Sequence, residues 1–187
     1  AVRSSSGVED SHDKSYAGQF LTLLNVDVMG LQSAIKKVWL SVFAQHINAY
    51  NSQGTEQIPI SVIVQECIEA DASGVIFTVD PTNESSDCSV VNAVYGMGEG
   101  LVSGQLDADM YHIKNNEIVS KHIVSKYEKL IYSGNNGLKM SPLDEGISNV
   151  QVLSDDNCLK LYKAAKVIEN YFKQAQDIEF CFKDNEL

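Results

Sequence analysis

The sequence predicts an α+β fold with a mixed, largely antiparallel sheet and flanking helices. Runs of β-branched residues divided by turn residues fill positions 58–96, which is typical of short strands. Two segments with helical spacing of apolar residues, 30–50 and 155–173, lie on either side of this region. Because the elements do not alternate strictly as parallel βαβ units do, an antiparallel arrangement is favoured.

The first third of the chain predicts two short strands and a helix. Residues 4–19 are polar and rich in Ser and Gly, which indicates a long loop after a first strand. The segment QFLTLLNV then returns to a strand pattern. In the helix over 30–50, Trp39 and Phe43 widen an apolar stripe that we expect to pack on the rest of the domain. The stripe consists of Leu31, Ile35, Val38, Val42, Ile47 and Tyr50.

The middle of the chain predicts further strands. They lie in IPISVIVQECIEA, SGVIFTVDP and CSVVNAVYG, and MYHIKNNEIVSKHIV predicts a hairpin. Asn115 and Asn116 are placed at the turn of that hairpin, because Asn tolerates a positive φ. Residues 133–150 have the composition of a loop.

The last part of the chain predicts a helix followed by a strand. Ser154 or Asp155 is expected to cap the helix over 155–173, with acidic residues in its first turn. The segment DIEFCF alternates as a strand does, with Ile178, Phe180 and Phe182 on its apolar face.

Composition limits the function. The chain has 187 residues, enough for one domain or two small lobes, and a formal net charge of -11. This charge argues against nucleic acid as a partner, although a nucleotide needs only local positive charge. No apolar run approaches the length that spans a bilayer, so no membrane partner is expected. The four cysteines have no metal-ligand spacing, and we expect reduced, mostly buried thiols in a cytoplasmic protein.

Arg3 is the first candidate site residue. Its guanidinium offers a fork of donors that suits phosphate oxygens, and the loop with Gly7 and Gly18 could turn backbone N–H groups toward an anion. The alternative is an ion pair with Glu9 or Asp10 at the surface.

Three further places could carry chemistry. The strand that ends at Gln65 and Glu66 could expose backbone groups to a flat base, or it could belong to a plain hairpin. The glycines at 96, 98, 100 and 104 resemble a phosphate loop but fit no known phosphate-loop spacing, and a tight structural turn explains them as well. Glu179 could bind Mg²⁺ through its carboxylate, or it could lie on a solvated strand face.

Taken together, four stretches resemble one family. They are AVRSSSGVEDSHDKSYAGQFLTLLNV, GVIFTVDP, GMGEGLVSGQLDADMYHI and QDIEFCF, in the order and spacing typical of the nucleotide-binding domain of phosphoenolpyruvate synthase, pyruvate phosphate dikinase and rifampicin phosphotransferase. The resemblance covers nearly the whole chain. The form SYAGQ is more similar to the synthase and the antibiotic enzyme than to the dikinase.

The resemblance implies an ATP-grasp fold and a phosphotransferase. In this family ATP lies between two α+β lobes and phosphorylates a histidine on a separate domain. The phosphoryl group then passes to pyruvate or, in the antibiotic enzyme, to rifampicin, bound by a further domain. A cytoplasmic kinase that uses ATP and Mg²⁺ is therefore expected.

The resemblance also implies roles for individual residues. Arg3 matches an arginine that contacts the ATP phosphates, Glu179 matches a Mg²⁺ ligand, and both are implied to be catalytic. The other implied nucleotide-binding residues are Gly18 and Gln19 in a loop over the phosphates, Thr22 near the nucleotide, and Gln65, Glu66 and Ile68 at the adenine hinge. Glu99, in the glycine block, matches a family hallmark without a clear role.

The match to the family is incomplete. The family's glycine-rich segment with a phosphate-contacting lysine has no counterpart before Ala1, and a glutamine and an arginine that follow the DIEF strand have none before Leu187. The chain is therefore expected to be a single ATP-grasp domain fragment, residues 1–187, that is inactive alone. Three functions stay open: the ATP domain of a phosphoenolpyruvate synthase, that of a rifampicin phosphotransferase, or a non-catalytic module with the same fold.

Overall fold

The structure, a computed structural model, describes residues 1–5, 21–49, 61–83, 86–134 and 137–187, and of residues 42–49 it describes the backbone alone. It confirms the predicted mixed architecture of strands and helices. Every strand pair in its two larger sheets is antiparallel. The chain divides into two compact units.

The first unit, Ala1–Cys67 with Tyr132–Leu138, contains a three-stranded sheet and one helix. Its strands are β1 (Val2–Ser5), β2 (Thr22–Leu23) and β3 (Ser61–Val64), with β1 in the centre. Helix α1 (Leu31–Ala49) begins after Asp27, whose carboxylate accepts the Gly30 N–H at 2.6 Å. Its apolar face packs on the sheet around the buried Val2, Ala34 and Val38.

The second unit, Ile68–Ile131 with Lys139–Leu187, contains most of the regular structure. The remaining strands are β4 (Ala72–Phe77), β5 (Ser89–Tyr95), β6 (Asp109–Lys114), β7 (Glu117–His122), β8 (Glu128–Tyr132), β9 (Leu138–Pro142) and β10 (Asp177–Phe182). The remaining helices are α2 (Glu99–Val102) and α3 (Asp155–Phe172). Five strands form a sheet in the order β10-β4-β5-β6-β7, and β8 pairs with β9.

Helix α3 confirms its predicted ends and supplies the core of the second unit. Ser154 is the N-cap, and its hydroxyl accepts the Asn157 N–H at 3.2 Å. The helix ends where Lys173 takes a left-handed φ of 59°. Its buried side chains, Cys158, Leu161 and Ala165, pack against the apolar face of the five-stranded sheet.

The turn of the β6–β7 hairpin is also confirmed. Asn115 and Asn116 have φ values of 52° and 64°, in the left-handed region that Asn tolerates best among residues with a side chain. In β10, Phe180 and Phe182 are buried and Ile178 is partly buried, whereas Glu179 is exposed, as the alternation predicted.

Three predictions about local structure were wrong. Residues 133–150 are not all loop, because Leu138–Pro142 pairs with β8; the Gly, Asn and Pro around this short strand hid it. Trp39 does not widen the buried stripe of α1, since its side chain is 55% exposed. The plain hairpin for residues 62–78 is excluded, because β3 and β4 belong to different sheets.

The four cysteines form no disulfide, as expected, but they are less buried than predicted. Only Cys158 is fully buried, and the other three are partly exposed. Burial raises the pKa of the Cys158 thiol to about 12, so this side chain behaves as a small apolar core residue.

A buried ion pair connects β6 to the segments that follow β7 in the second unit. The Asp109 carboxylate is completely buried and accepts a bond from the Lys126 ammonium at 2.6 Å. It also accepts the Val124 N–H at 3.1 Å and the Val152 N–H at 2.7 Å. The Tyr111 hydroxyl lies 3.3 Å from the same carboxylate, and burial raises the pKa of Tyr111, so this hydroxyl stays a donor. Each carboxylate oxygen therefore has two donors.

None of the helices in the described ranges is both long enough and apolar enough to cross a membrane.

Candidate functional site

Arg3 lies on the face of the first unit's sheet that is opposite to helix α1. Its neighbour Val2 is 1% exposed and points into the core under α1, so alternation turns the Arg3 side chain to the other face. Thr22 and Ile63 are the direct cross-strand partners of Arg3. The structure thus brings two predicted phosphate-site residues, Arg3 and Thr22, side by side.

An open cavity of about 330 Å³ lies in the same unit. Its wall is mostly apolar side chains from β1, β3 and the segment before α1, with a few polar groups, a composition that small-molecule sites share. The residues of the wall are Ala1, Val2, Asn25, Val26, Asp27, Val28, Leu31, Val64, Gln65, Glu66, Cys67 and Tyr132.

Two of the three predicted hinge residues, Gln65 and Glu66, lie in the wall of this cavity. The backbone of Gln65 is paired with that of Ala1, through bonds of 2.9 and 2.6 Å, which extends the β1–β3 ladder to the cavity. Ile68 is not part of the wall; it belongs to the second unit and is 39% exposed.

Two wall residues that sequence reasoning missed hold the turn of the β8–β9 hairpin against this cavity. The Asn25 side-chain amide donates to the carbonyls of Ser133 and Gly137, at 2.9 and 3.1 Å. The Tyr132 hydroxyl donates to the Cys67 carbonyl, next to the predicted hinge. Asn25 has a φ of 52°, so the LLNVD stretch carried a turn signal that could have drawn attention to it.

Glu179 lies in the second unit, on the solvent-facing side of the edge strand β10. Its backbone is paired with that of Val75. Within the described residues, no three His, Cys, Asp or Glu side chains form a metal-binding group. A single exposed carboxylate fits Mg²⁺ only where substrate phosphates and water supply the remaining ligands, and this is how Mg²⁺ is commonly held in nucleotide enzymes.

The glycine block serves the packing of the second unit. Gly96 ends β5 with a φ of 77°, and a Cβ at this position would lie 2.3 Å from the Leu130 carbonyl oxygen. A Cβ on Gly100 would lie 2.4 Å from the Leu106 side chain. Glu99 begins the single turn of α2 and is exposed. These contacts favour the structural explanation of the block over a phosphate loop.

We expect Gly96→Ala to destabilise the second unit by at least about 2 kcal/mol, because a left-handed φ and a collision with backbone add together. Gly104→Ala is the matched control. Gly104 has a similar φ of 69° but open space around its Cβ position, so a smaller loss of stability is expected. Equal shifts of the urea midpoint for the two variants would show that the Leu130 contact is unimportant.

Gly18 and Gln19, the predicted phosphate-covering loop, lie outside the described residues, as do Glu9 and Asp10 of the alternative ion pair for Arg3.

Comparison with known proteins gives one family. The protein-family model described as the AMP/ATP-binding domain of pyruvate phosphate dikinase matches residues 1–187. Among curated relatives, a rifampicin phosphotransferase of Bacillus subtilis is 35% identical over 97% of this chain and 21% of its own length. A probable phosphoenolpyruvate synthase of Methanocaldococcus jannaschii is 34% identical over 98% of this chain and 16% of its own length. The phosphoenolpyruvate synthase of Pyrococcus furiosus is 31% identical over 97% of this chain and 24% of its own length.

The chain therefore spans about a fifth of the length of these relatives.

Proposed function

The chain belongs to the family of pyruvate phosphate dikinase AMP/ATP-binding domains, and from this premise we propose that it binds ATP for a phosphotransferase of the phosphoenolpyruvate synthase type. The proposed fold is ATP-grasp, in one domain fragment over residues 1–187. The observation that carries the proposal is the cavity of the first unit, which has Gln65 and Glu66 in its wall. Arg3 lies on the other face of the same sheet, opposite to the wall residues Val2 and Leu31.

The cavity suits the adenine base. Val26, Val64 and Leu31 offer apolar contact to a flat ring, and the backbone near Glu66 offers polar groups for its edge. The Gln65 backbone is already paired with Ala1, and the Cys67 carbonyl is occupied by Tyr132. These bonds do not use the N–H and the carbonyl of Glu66 or the N–H of Cys67. We propose that these hinge groups contact the edge of the base.

Arg3 and Thr22 suit the phosphates. Arg3 is the only arginine of the sequence, and its planar fork can donate two parallel hydrogen bonds to one phosphate group. Thr22 is exposed beside it and can donate from its hydroxyl. Gly18 and Gln19 are proposed to belong to a loop that covers the phosphates.

Glu179 is proposed as a ligand of Mg²⁺, which would neutralise charge on the phosphates. Phosphoryl transfer depends on positioning and charge neutralisation, so the chain's own contribution is to hold ATP and keep the metal in place. The acceptor of the phosphoryl group is a histidine on another domain of the proposed full-length protein, and the next acceptor is pyruvate.

A rifampicin phosphotransferase is the second candidate function, because several relatives carry that name. Other domains of the proposed full-length protein select the phosphoryl acceptor, which is either pyruvate or rifampicin. ATP consumption by the full-length protein should depend on pyruvate if the first proposal holds and on rifampicin if the second does. Dependence on neither would exclude both.

A calorimetric titration with ATP and Mg²⁺ tests the proposal directly. We expect tight binding by the full-length protein and weaker binding by residues 1–187 alone. Absence of binding by the full-length protein would leave the fold intact and indicate a non-catalytic module.

We expect Arg3→Ala to weaken ATP binding by the full-length protein about 10- to 100-fold, since hydrogen bonds to charged groups contribute about 1.5–3 kcal/mol. The melting temperature should stay nearly constant, because Arg3 is partly exposed and is not among the buried core residues of its unit. Lys36→Ala, an exposed site on α1, is the control and should change neither property. A large fall in melting temperature at unchanged ATP affinity would instead show that Arg3 forms a structural ion pair.

A further inference from the structure

Asn92 and Glu179 lie on the same face of the five-stranded sheet in the second unit, opposite to helix α3. Val91 and Ala93, on either side of Asn92, are buried in the core that α3 covers, so alternation turns Asn92 to the other face. The same holds for Glu179, because its neighbour Phe180 belongs to that core. An amide and a carboxylate therefore share the face that α3 does not cover.

The two side chains stand in one row across the sheet. Glu179 is the direct cross-strand partner of Val75, and Val75 is in turn the direct partner of Asn92. Adjacent strands lie about 4.8 Å apart, so two strand spacings, roughly 10 Å, separate the backbones of Glu179 and Asn92. Because both side chains extend from the same face, a ligand with the length of a triphosphate can contact both of them.

Asn92 is an unusual residue for its position. Asn is depleted in strands, and β5 is the central strand of the sheet. Its neighbours on this face are apolar, namely Val75, Val90, Val94 and Met110. Within the part of the chain that the structure describes, the Asn92 side chain makes no hydrogen bond, and it is partly exposed. A polar group among apolar neighbours is costly unless a partner satisfies it, so this amide indicates a ligand on the face.

The glycine block borders this row without covering it. Ser73 lies on the same face, one row away, and its hydroxyl donates to the Gly96 carbonyl at 2.5 Å. A Cβ on Gly98 would lie 3.4 Å from the Ser73 hydroxyl oxygen, so the start of α2 covers that neighbouring row. Ser73 is accordingly buried, whereas Val75 and Asn92 are partly exposed and can be reached by a ligand.

We propose that Asn92 is a further binding residue for the Mg²⁺–triphosphate, with its amide oxygen toward the hydrated metal and its amide NH₂ toward a phosphate oxygen. The inference rests on the proposed function and on Glu179 as a metal ligand. Mg²⁺ usually keeps several waters and takes only one or two carboxylates from the protein. A neutral amide beside Glu179 supplies an acceptor and two donors without adding negative charge next to the phosphates.

The test measures the dissociation constant of Mn²⁺ for the full-length protein with a non-hydrolysable ATP analogue, by electron paramagnetic resonance. In Asn92→Leu we expect Mn²⁺ to bind about tenfold more weakly, the loss of a hydrogen bond to a charged group. The melting temperature without ligands should stay constant or rise, because Leu has a similar size and suits the apolar neighbours. A purely structural Asn92 would give the opposite pair of results, a lower melting temperature with unchanged Mn²⁺ binding.

Two further variants complete the test. His122→Gln is the control: His122 is the cross-strand partner of Met110, so it is exposed in the same row but lies two strands beyond Asn92. It should leave Mn²⁺ binding unchanged. Asn92→Asp keeps an oxygen acceptor and should lose less affinity for Mn²⁺ than Asn92→Leu.

The outcomes separate this inference from the proposed function. Unchanged Mn²⁺ binding in Asn92→Leu, or equal losses in the two Asn92 variants, would overturn the inference. If the unmodified full-length protein binds no Mn²⁺ in the presence of the ATP analogue, the proposed function itself fails.

Discussion

Asp109→Asn should lower the free energy of unfolding of the second unit by about 3–5 kcal/mol, the cost of leaving one buried charge without its partner. This loss is a large share of the stability of an ordinary domain, which is about 5–15 kcal/mol. The amide has nearly the shape of the carboxylate, so a change in packing does not explain the loss. Urea unfolding followed by far-UV circular dichroism measures it.

The structure explains why the effect should be large. The side chain of Lys126 is 3% exposed and that of Asp109 is 0% exposed, so water cannot solvate the ammonium that the substitution leaves behind. In addition, the NH₂ group of Asn is a donor, and it would take the place of a carboxylate oxygen that accepts hydrogen bonds from N–H or hydroxyl groups. Two donors would then face each other.

Two controls separate the ion pair from other causes. In Asp109→Asn/Lys126→Met both charges are gone, and most of the lost stability should return. Asp87→Asn removes the exposed partner of Lys114 and should have a much smaller effect. If the double variant is as unstable as Asp109→Asn, the unpaired ammonium is not the cause.

Glu179→Gln should lower the turnover of the full-length phosphotransferase on the order of a hundredfold, because a metal that stabilises transition-state charge contributes several kcal/mol. The Mg²⁺ concentration for half-maximal rate should rise as well. Stability should change little, since Glu179 is exposed on an edge strand.

The measurement is a Mg²⁺ titration of the rate at saturating ATP. Glu117→Gln, an exposed carboxylate on the strand at the opposite edge of the sheet, is the matched control. A Glu179→Gln titration that coincides with that of the unmodified enzyme would remove this residue from the proposed metal site.

Local signals in the sequence were enough to predict much of the fold. The cap at Ser154, the turn at Asn115 and Asn116, and the alternation in β10 each depend on residues close together in the chain. What local signals could not provide was the partner of each strand. β3 and β4 follow one another closely, but they pair in different sheets, and β9 exists because β8 pairs with it.

The candidate site shows the same division between local signals, which the sequence reveals, and long-range contacts, which it does not. Arg3, Thr22, Gln65 and Glu66 were found through motifs, and the structure places the first two side by side and the second two in one cavity wall. Asn25 and Tyr132 were missed because their bonds reach 108 and 65 residues along the chain. The roles of all the predicted site residues stay predictions, as does a cytoplasmic location; these residues are Arg3, Gly18, Gln19, Thr22, Gln65, Glu66, Ile68 and Glu179.

The edge position of β10 also sets the order in which the second unit can assemble. Strands β4, β5 and β6 each pair with the next strand in the chain, so this meander forms by closing loops much shorter than the connection to β10. β10 instead pairs Asp177 with Phe77, 100 residues apart, and it is synthesised after all of the other strands in its sheet. Such long-range pairing is slow. Glu179 therefore joins the sheet late, so a nascent chain can carry a nearly complete sheet before its proposed metal ligand is in place.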